Sequence, residues 1–141
     1  MRKIFLFILI LAFSLNSQSQ TIFGKWYSFN EETKEKESII EVYKKDGKAY
    51  AKIVDILNPE RKTAKCDQCN GVLKDKPILG MNILTGLKKK KDEWSGGKIL
   101  DPKNGKEYKC YIKLLDKNTL KIRGYIGFSL LGRTEVWNRV K

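Results

Sequence analysis

The 141-residue sequence contains no histidine. That removes the commonest general base, the commonest metal ligand and the usual partner of a serine or cysteine nucleophile. Catalysis would have to rest on carboxylates, Lys, Tyr or Cys alone, so we assign no catalytic residue, no metal site and no cofactor, and expect no enzyme. Proline is scarce as well: Pro59, Pro77 and Pro102 are the three present, and all lie between candidate strands, where a missing N–H does no harm. No apolar run is long. The longest, residues 4–13, is about half the ~20 residues that a membrane-spanning helix needs. Acidic residues are in the minority, 16 Asp+Glu against 29 Lys+Arg. A convincing helical stripe is also missing.

What is present begins with an export pattern. Arg2 and Lys3 precede the apolar residues 4–13, and polar residues 14–20 follow with the small pair Ser17 and Ser19. This reads as a signal peptide, residues 1–19, cleaved near Ser19; an uncleaved anchor is the alternative. The first cysteine is Cys66, so a lipid-anchored form is not expected. The predicted product is a single domain, 20–141, periplasmic or secreted. Loss of Arg2 and Lys3 takes the basic count from 29 to 27 against 16 acidic side chains, a net charge of +11. Outside the cytoplasm such a chain meets anionic lipid headgroups or acidic glycans, so peripheral contact with an anionic membrane surface is one expectation, and a plainly solvated basic surface the other. Nucleic acid is not expected as a partner. Binding it would call for aromatics interleaved with the basic residues, and only Trp94 lies near the run Lys88, Lys89, Lys90 and Lys91. That run reads as a solvated hairpin tip, or else as an anion-binding knuckle on a barrel rim.

Turn signals recur about every ten residues, with alternating stretches between them. Asp46-Gly47 is a strong hairpin signal, because Gly tolerates the positive φ of a tight primed turn. Gly96-Gly97, Asn104-Gly105 and Asp116-Lys117-Asn118 are further punctuation. Within 106–115, Tyr108, Cys110, Ile112 and Leu114 share a face. Within 119–127, Leu120, Ile122, Gly124 and Ile126 lie opposite Lys121, Arg123 and Tyr125. A period of two describes strands with one buried and one wet side. Eight strands follow: 23–29, 38–45, 48–57, 81–87, 93–100, 106–115, 119–127 and 132–140. The fold class is all-β, a small antiparallel eight-stranded β-barrel whose closure removes exposed edges, with a β-sandwich as the alternative.

Residues 58–80 form a connection longer than most in a compact domain, and it holds Cys66 and Cys69. In an oxidising compartment these two are the favoured disulfide, with Cys110 buried as a small apolar side chain; a bond from the connection to Cys110 is the alternative. Redox activity of Cys66/Cys69 would require the first thiol at a helix N-terminus, which an all-β chain does not offer. Metal binding by the three cysteines would lack a fourth soft ligand.

Several stretches together resemble a known family. Gly24-Lys25-Trp26 opens the domain. Gly96-Gly97-Lys98-Ile99-Leu100-Asp101-Pro102 leads to Asn104-Gly105 and Tyr108, and Arg123-Gly124-Tyr125-Ile126-Gly127 and Trp137-Asn138-Arg139-Val140 follow. The chain is similar, over nearly its whole mature length, to the exported bacterial family catalogued as domain of unknown function 2147. The resemblance implies a lipocalin-like β-barrel and brings no activity, cofactor or catalytic residues with it. The Gly-x-Trp start also resembles the first strand of lipocalins, where the Trp closes one barrel end under a basic residue of the last strand. It implies a structural cation–π pair of Trp26 with Arg139 (or Arg133), worth ~0.5–2 kcal/mol.

Other candidate chemistry has plainer explanations. Asp101 and Asn104-Gly105 lack the alternation of a calcium loop and read as a turn that bonds its own backbone. Glu41, Asp55 and Glu135 are available carboxylates, but no pattern pairs them for acid–base work. The aromatics are able either to line a cavity or to fill a core. The leading expectation is a non-enzymatic exported barrel that binds a small amphiphilic or anionic envelope ligand, with Tyr108, Arg123 and Arg133 as polar contacts near the cavity mouth. The alternatives are a structural or interaction module of the cell envelope and a thiol-based redox protein using Cys66/Cys69.

Overall fold

The computed structural model describes residues 20–141; the proposed signal segment, 1–19, lies outside them. The described residues form one closed antiparallel barrel in which each strand pairs with the next in sequence and the last with the first. The strands are β1 (Gly24–Phe29), β2 (Lys36–Lys45), β3 (Lys48–Ile56), β4 (Asn82–Lys90), β5 (Glu93–Asp101), β6 (Lys106–Asp116), β7 (Thr119–Tyr125) and β8 (Gly132–Arg139). The eight expected strands are all present, and the sandwich alternative is set aside.

Alternation places the core. Ile40 and Val42 of β2, Ala49, Ala51 and Ile53 of β3, Ile112 of β6, and Leu120 and Ile122 of β7 point inward and are buried. Their neighbours, mostly Lys, Tyr and Glu, face out. Asp46 and Gly47 both have positive φ, 51° and 76°, and make the two-residue turn between paired Lys45 and Lys48. Gly96 and Gly97 do not end a strand; they lie inside β5. Gly96 is the extra residue of a bulge, since the pairing with β6 shifts between Ser95 and Gly97. Gly97 has no room for a Cβ, which would sit 2.2 Å from the Thr85 carbonyl oxygen. Glycine at that site lets β4 and β5 approach where the barrel bends. Strand β4 also runs further than its apolar residues indicate. Lys88, Lys89 and Lys90 pair with Ser95, Trp94 and Glu93, leaving Lys91 and Asp92 as the turn.

One end of the barrel is closed by tight turns and by the segment before β1. Trp26 is fully buried there and donates through Nε1 to the Ile22 carbonyl at 2.9 Å. The Arg139 guanidinium lies 4.2 Å from the centroid of the Trp26 ring. It donates to three carbonyls, those of Lys117 (2.7 Å), Phe23 (3.0 Å) and Thr21 (2.6 Å). One side chain thus ties the last strand to the β6–β7 turn and to the entering chain. It also covers the thinnest seam, where β1 and β8 pair at Trp26–Arg139 and Tyr27–Asn138. Gly24 makes this possible. Its φ is +126°, and a Cβ there would stand 3.0 Å from Arg139 Nη1. Phe23 completes the plug, packing edge-on to Trp94 with 5.5 Å between ring centroids.

Candidate ligand-binding site

The opposite end carries the longer connections, residues 30–35, 57–81, 102–105 and 126–131. The long one is not a loose loop. Two short 3-10 turns, Pro59–Arg61 and Gly71–Leu73, shape it. Asn58 caps the first by accepting from the Glu60 N–H at 3.0 Å. Lys65 bridges to Pro77 as a single ladder pair. Cys66 and Cys69 form a disulfide with their Cα atoms 5.3 Å apart, and both are buried. The disulfide turn leans on the β5–β6 turn so closely that a Cβ on Gly105 would fall 2.0 Å from the Gln68 carbonyl oxygen. Cys110 remains free and buried, and burial pushes its thiol pKa up to about 12. A thiol held neutral in this way is a packing group, not a nucleophile.

Beneath these connections the barrel interior is open. A cavity of about 330 Å³ enters from this end and reaches Trp137. Its walls are apolar: Ile40, Ile53, Ile83, Ile99 and Ile122 from five strands. Gly124 also lines it, and a Cβ there would meet only Ile99 and Tyr108 at ordinary contact distances of 3.6 and 3.8 Å. The missing side chain leaves space. Ala64 and Ile78 of the long connection roof one side. The size lies at the small end of the 300–1,000 Å³ typical of small-molecule pockets.

The rim is charged. Arg133 sits among three carboxylates from separate elements: Glu31 at 2.9 Å, Asp101 at 3.5 Å and Glu135 at 3.4 Å. Lys103 pairs with Glu37 at 2.8 Å. Glu135 accepts from Trp137 Nε1 at 3.3 Å. Burial raises its carboxyl pKa above the ordinary value, against the lowering effects of the Trp137 N–H and Arg133. Just inside the rim, the buried hydroxyls of Ser28 and Ser38 share a hydrogen bond.

Of the three residues expected at the mouth, Tyr108 and Arg133 line the cavity; Tyr108 accepts from Asn104 Nδ2 at 3.2 Å. Arg123 does not. It follows Ile122 and precedes Gly124, both inward-facing, so it points out of the barrel. There it donates to the carbonyls of Ser129 and Leu130 and to the Thr134 hydroxyl. Its role is to hold the β7–β8 connection. Of the three carboxylates singled out, Glu41 and Asp55 pair with Lys52 and Lys62, at 3.7 and 3.4 Å, and only Glu135 reaches the cavity. Sequence reasoning misses five rim groups: Glu31, Glu37, Arg61, Lys103 and Asp101. Asp101 reads as part of its turn, and one oxygen does accept from the Lys103 N–H at 2.9 Å, but the other faces Arg133. Glu31 lies in a connection, where no periodicity marks a direction. The alternation Arg133, Glu135, Trp137 in β8 was the available signal for Glu135.

No curated protein matches the sequence. Among solved structures, the barrel is similar to protein HP1028 of Helicobacter pylori, described as belonging to the lipocalin family. The TM-score is 0.75 at 22% identity, over 86% of this chain and 84% of that one. The likeness is one of fold: a closed eight-stranded lipocalin-like barrel. A family model described as uncharacterized protein conserved in bacteria (DUF2147) matches residues 24–139, nearly the whole described barrel, and the chain belongs to that family.

Proposed function

We propose that this protein is a non-enzymatic carrier of a small amphiphile, holding the apolar body inside the barrel and the polar end at the rim, and working outside the cytoplasm. The cavity carries the reading: an isoleucine-lined space of about 330 Å³, open at one end to a charged rim. The N-terminal export pattern and the Cys66–Cys69 disulfide support the compartment.

The rim also narrows the ligand. Four carboxylates (Glu31, Glu37, Asp101 and Glu135) stand against three cations (Arg61, Lys103 and Arg133), and Arg133 and Lys103 are already engaged by carboxylates. An incoming anion would have to displace them, whereas a hydroxyl or an amine finds acceptors in place. The polar end is therefore neutral or cationic. Calorimetric titration with decanol, decylamine and decanoate tests this. The first two bind the wild type, decanoate binds at least tenfold more weakly, and Gly124→Leu, which fills the cavity, abolishes binding of all three. Binding that survives Gly124→Leu would contradict the cavity as the site; preference for decanoate would contradict the rim argument alone.

A second reading, an interaction module for anionic envelope surfaces, draws on the closed end. Lys44 and Lys45 on one hairpin and Lys89, Lys90 and Lys91 on another are exposed. That reading predicts vesicle binding that disappears in salt and is abolished by Lys89→Glu with Lys90→Glu.

A further inference from the structure

The connection between β7 and β8 is unlike the others. In residues 126–131, Ile126, Phe128, Leu130 and Leu131 are 68%, 63%, 84% and 62% exposed, with no charged residue among them. Side chains this apolar at the tip of a connection are not needed for folding, since they bury little in the barrel. Ile126 and Leu131 lie at the cavity entrance, so the tip stands beside the opening.

Four carbonyls of this tip, those of Phe128, Ser129, Leu130 and Leu131, are held from within the chain. The Ile126 N–H donates to the Leu131 carbonyl and the Leu131 N–H to the Phe128 carbonyl, at 3.1 and 3.0 Å. Arg123 adds two donors to the Ser129 carbonyl at 3.0 and 2.8 Å and one to the Leu130 carbonyl at 3.3 Å. A protein partner offers its own donors to exposed carbonyls; the acyl region of a bilayer offers none, and unpaired backbone groups there are costly. A projecting apolar tip whose Phe128, Ser129 and Leu130 carbonyls are held from within is suited to the interfacial layer of a bilayer. Four side chains also fall far short of the roughly 20–30 residues per side of a stable protein interface. The long connection at the same end adds Val72, 85% exposed, with Lys74 and Lys76 close in sequence, which suit the headgroup layer.

We infer that the open end of the barrel docks on a lipid bilayer, with Phe128 and Leu130 inserted into the interfacial layer and the cavity mouth facing the membrane. This goes beyond ligand binding in the cavity and does not depend on it.

Flotation of the mature protein with vesicles of phosphatidylcholine and phosphatidylglycerol, at low salt and at 0.5 M NaCl, tests the inference. The wild type floats in both. Phe128→Ser with Leu130→Ser lowers the bound fraction at least tenfold at high salt while the melting temperature stays put, and Gly124→Leu floats as the wild type does. In a Phe128→Trp variant, lipids brominated on the acyl chain quench the added tryptophan. Flotation lost in 0.5 M NaCl, or unchanged in the double-serine variant, would overturn the inference. So would a concentration-dependent dimer that the double-serine variant abolishes, since the tip would then serve a second copy of the chain.

Discussion

The two ends of this barrel solve opposite problems with the same kinds of residue. At the closed end an arginine is spent on structure: Arg139 covers Trp26 and takes three carbonyls from separate segments. At the open end an arginine is surrounded by carboxylates at a solvent-exposed rim, where each pair is worth only ~0–1 kcal/mol. The closed end is sealed by two-residue turns and buried aromatics. The open end leaves a cavity and needs a disulfide and two 3-10 turns to keep its long connection in place. The closed end is built from buried packing, and the proposed recognition lies at the other end.

Substitutions at the two ends should therefore separate. The largest effect is expected at the closed end: Trp26→Ala removes a fully buried indole and costs ~3–5 kcal/mol, read as a lower denaturant midpoint with an unchanged slope. Gly24→Ala is expected to cost ~1–3 kcal/mol through the strained φ and to push Arg139 from its carbonyls, with ligand binding kept in whatever fraction stays folded. At the open end, replacing Cys66 and Cys69 by serine opens a very short covalent loop, for which chain entropy gives about 2 kcal/mol. Its distinguishing mark is faster amide exchange confined to residues 58–80 and weaker ligand retention. A closed-end variant that lost the ligand while fully folded would break the division.

The smallest expected effect is a pH dependence. Burial raises the folded-state pKa of Glu135, so the folded protein binds that proton more tightly than the unfolded chain does. Stability from this group is fully present below the unfolded value, falls as pH rises through the interval up to the folded value, and stays lower above it. Glu135→Gln should flatten that segment of the stability–pH curve and leave the acidic limb in place. A curve identical to wild type would remove Glu135 from the account of the rim.

Much of the fold was legible in the sequence because its signals are local. Alternation marked the strands, Asp46-Gly47 marked its turn, and even the outward direction of Arg123 follows from its place between Ile122 and Gly124. Resemblance to known barrels carried the Trp26 and Arg139 pairing. The cavity was not legible, because whether a barrel interior is filled or empty depends on how five isoleucines and one missing side chain at Gly124 pack across strands far apart in sequence. The rim was legible only in part, since Glu31 and Asp101 come from a connection and a strand end, where periodicity no longer fixes direction.

The proposed function requires that the cavity hold an amphiphile. Native mass spectrometry of the protein equilibrated with decanol, beside Gly124→Leu treated in the same way, tests it most directly. One added ligand mass is expected on the wild type, lost on denaturation, and a bare chain for the variant. A bare wild type, or the same added mass on both, would contradict it.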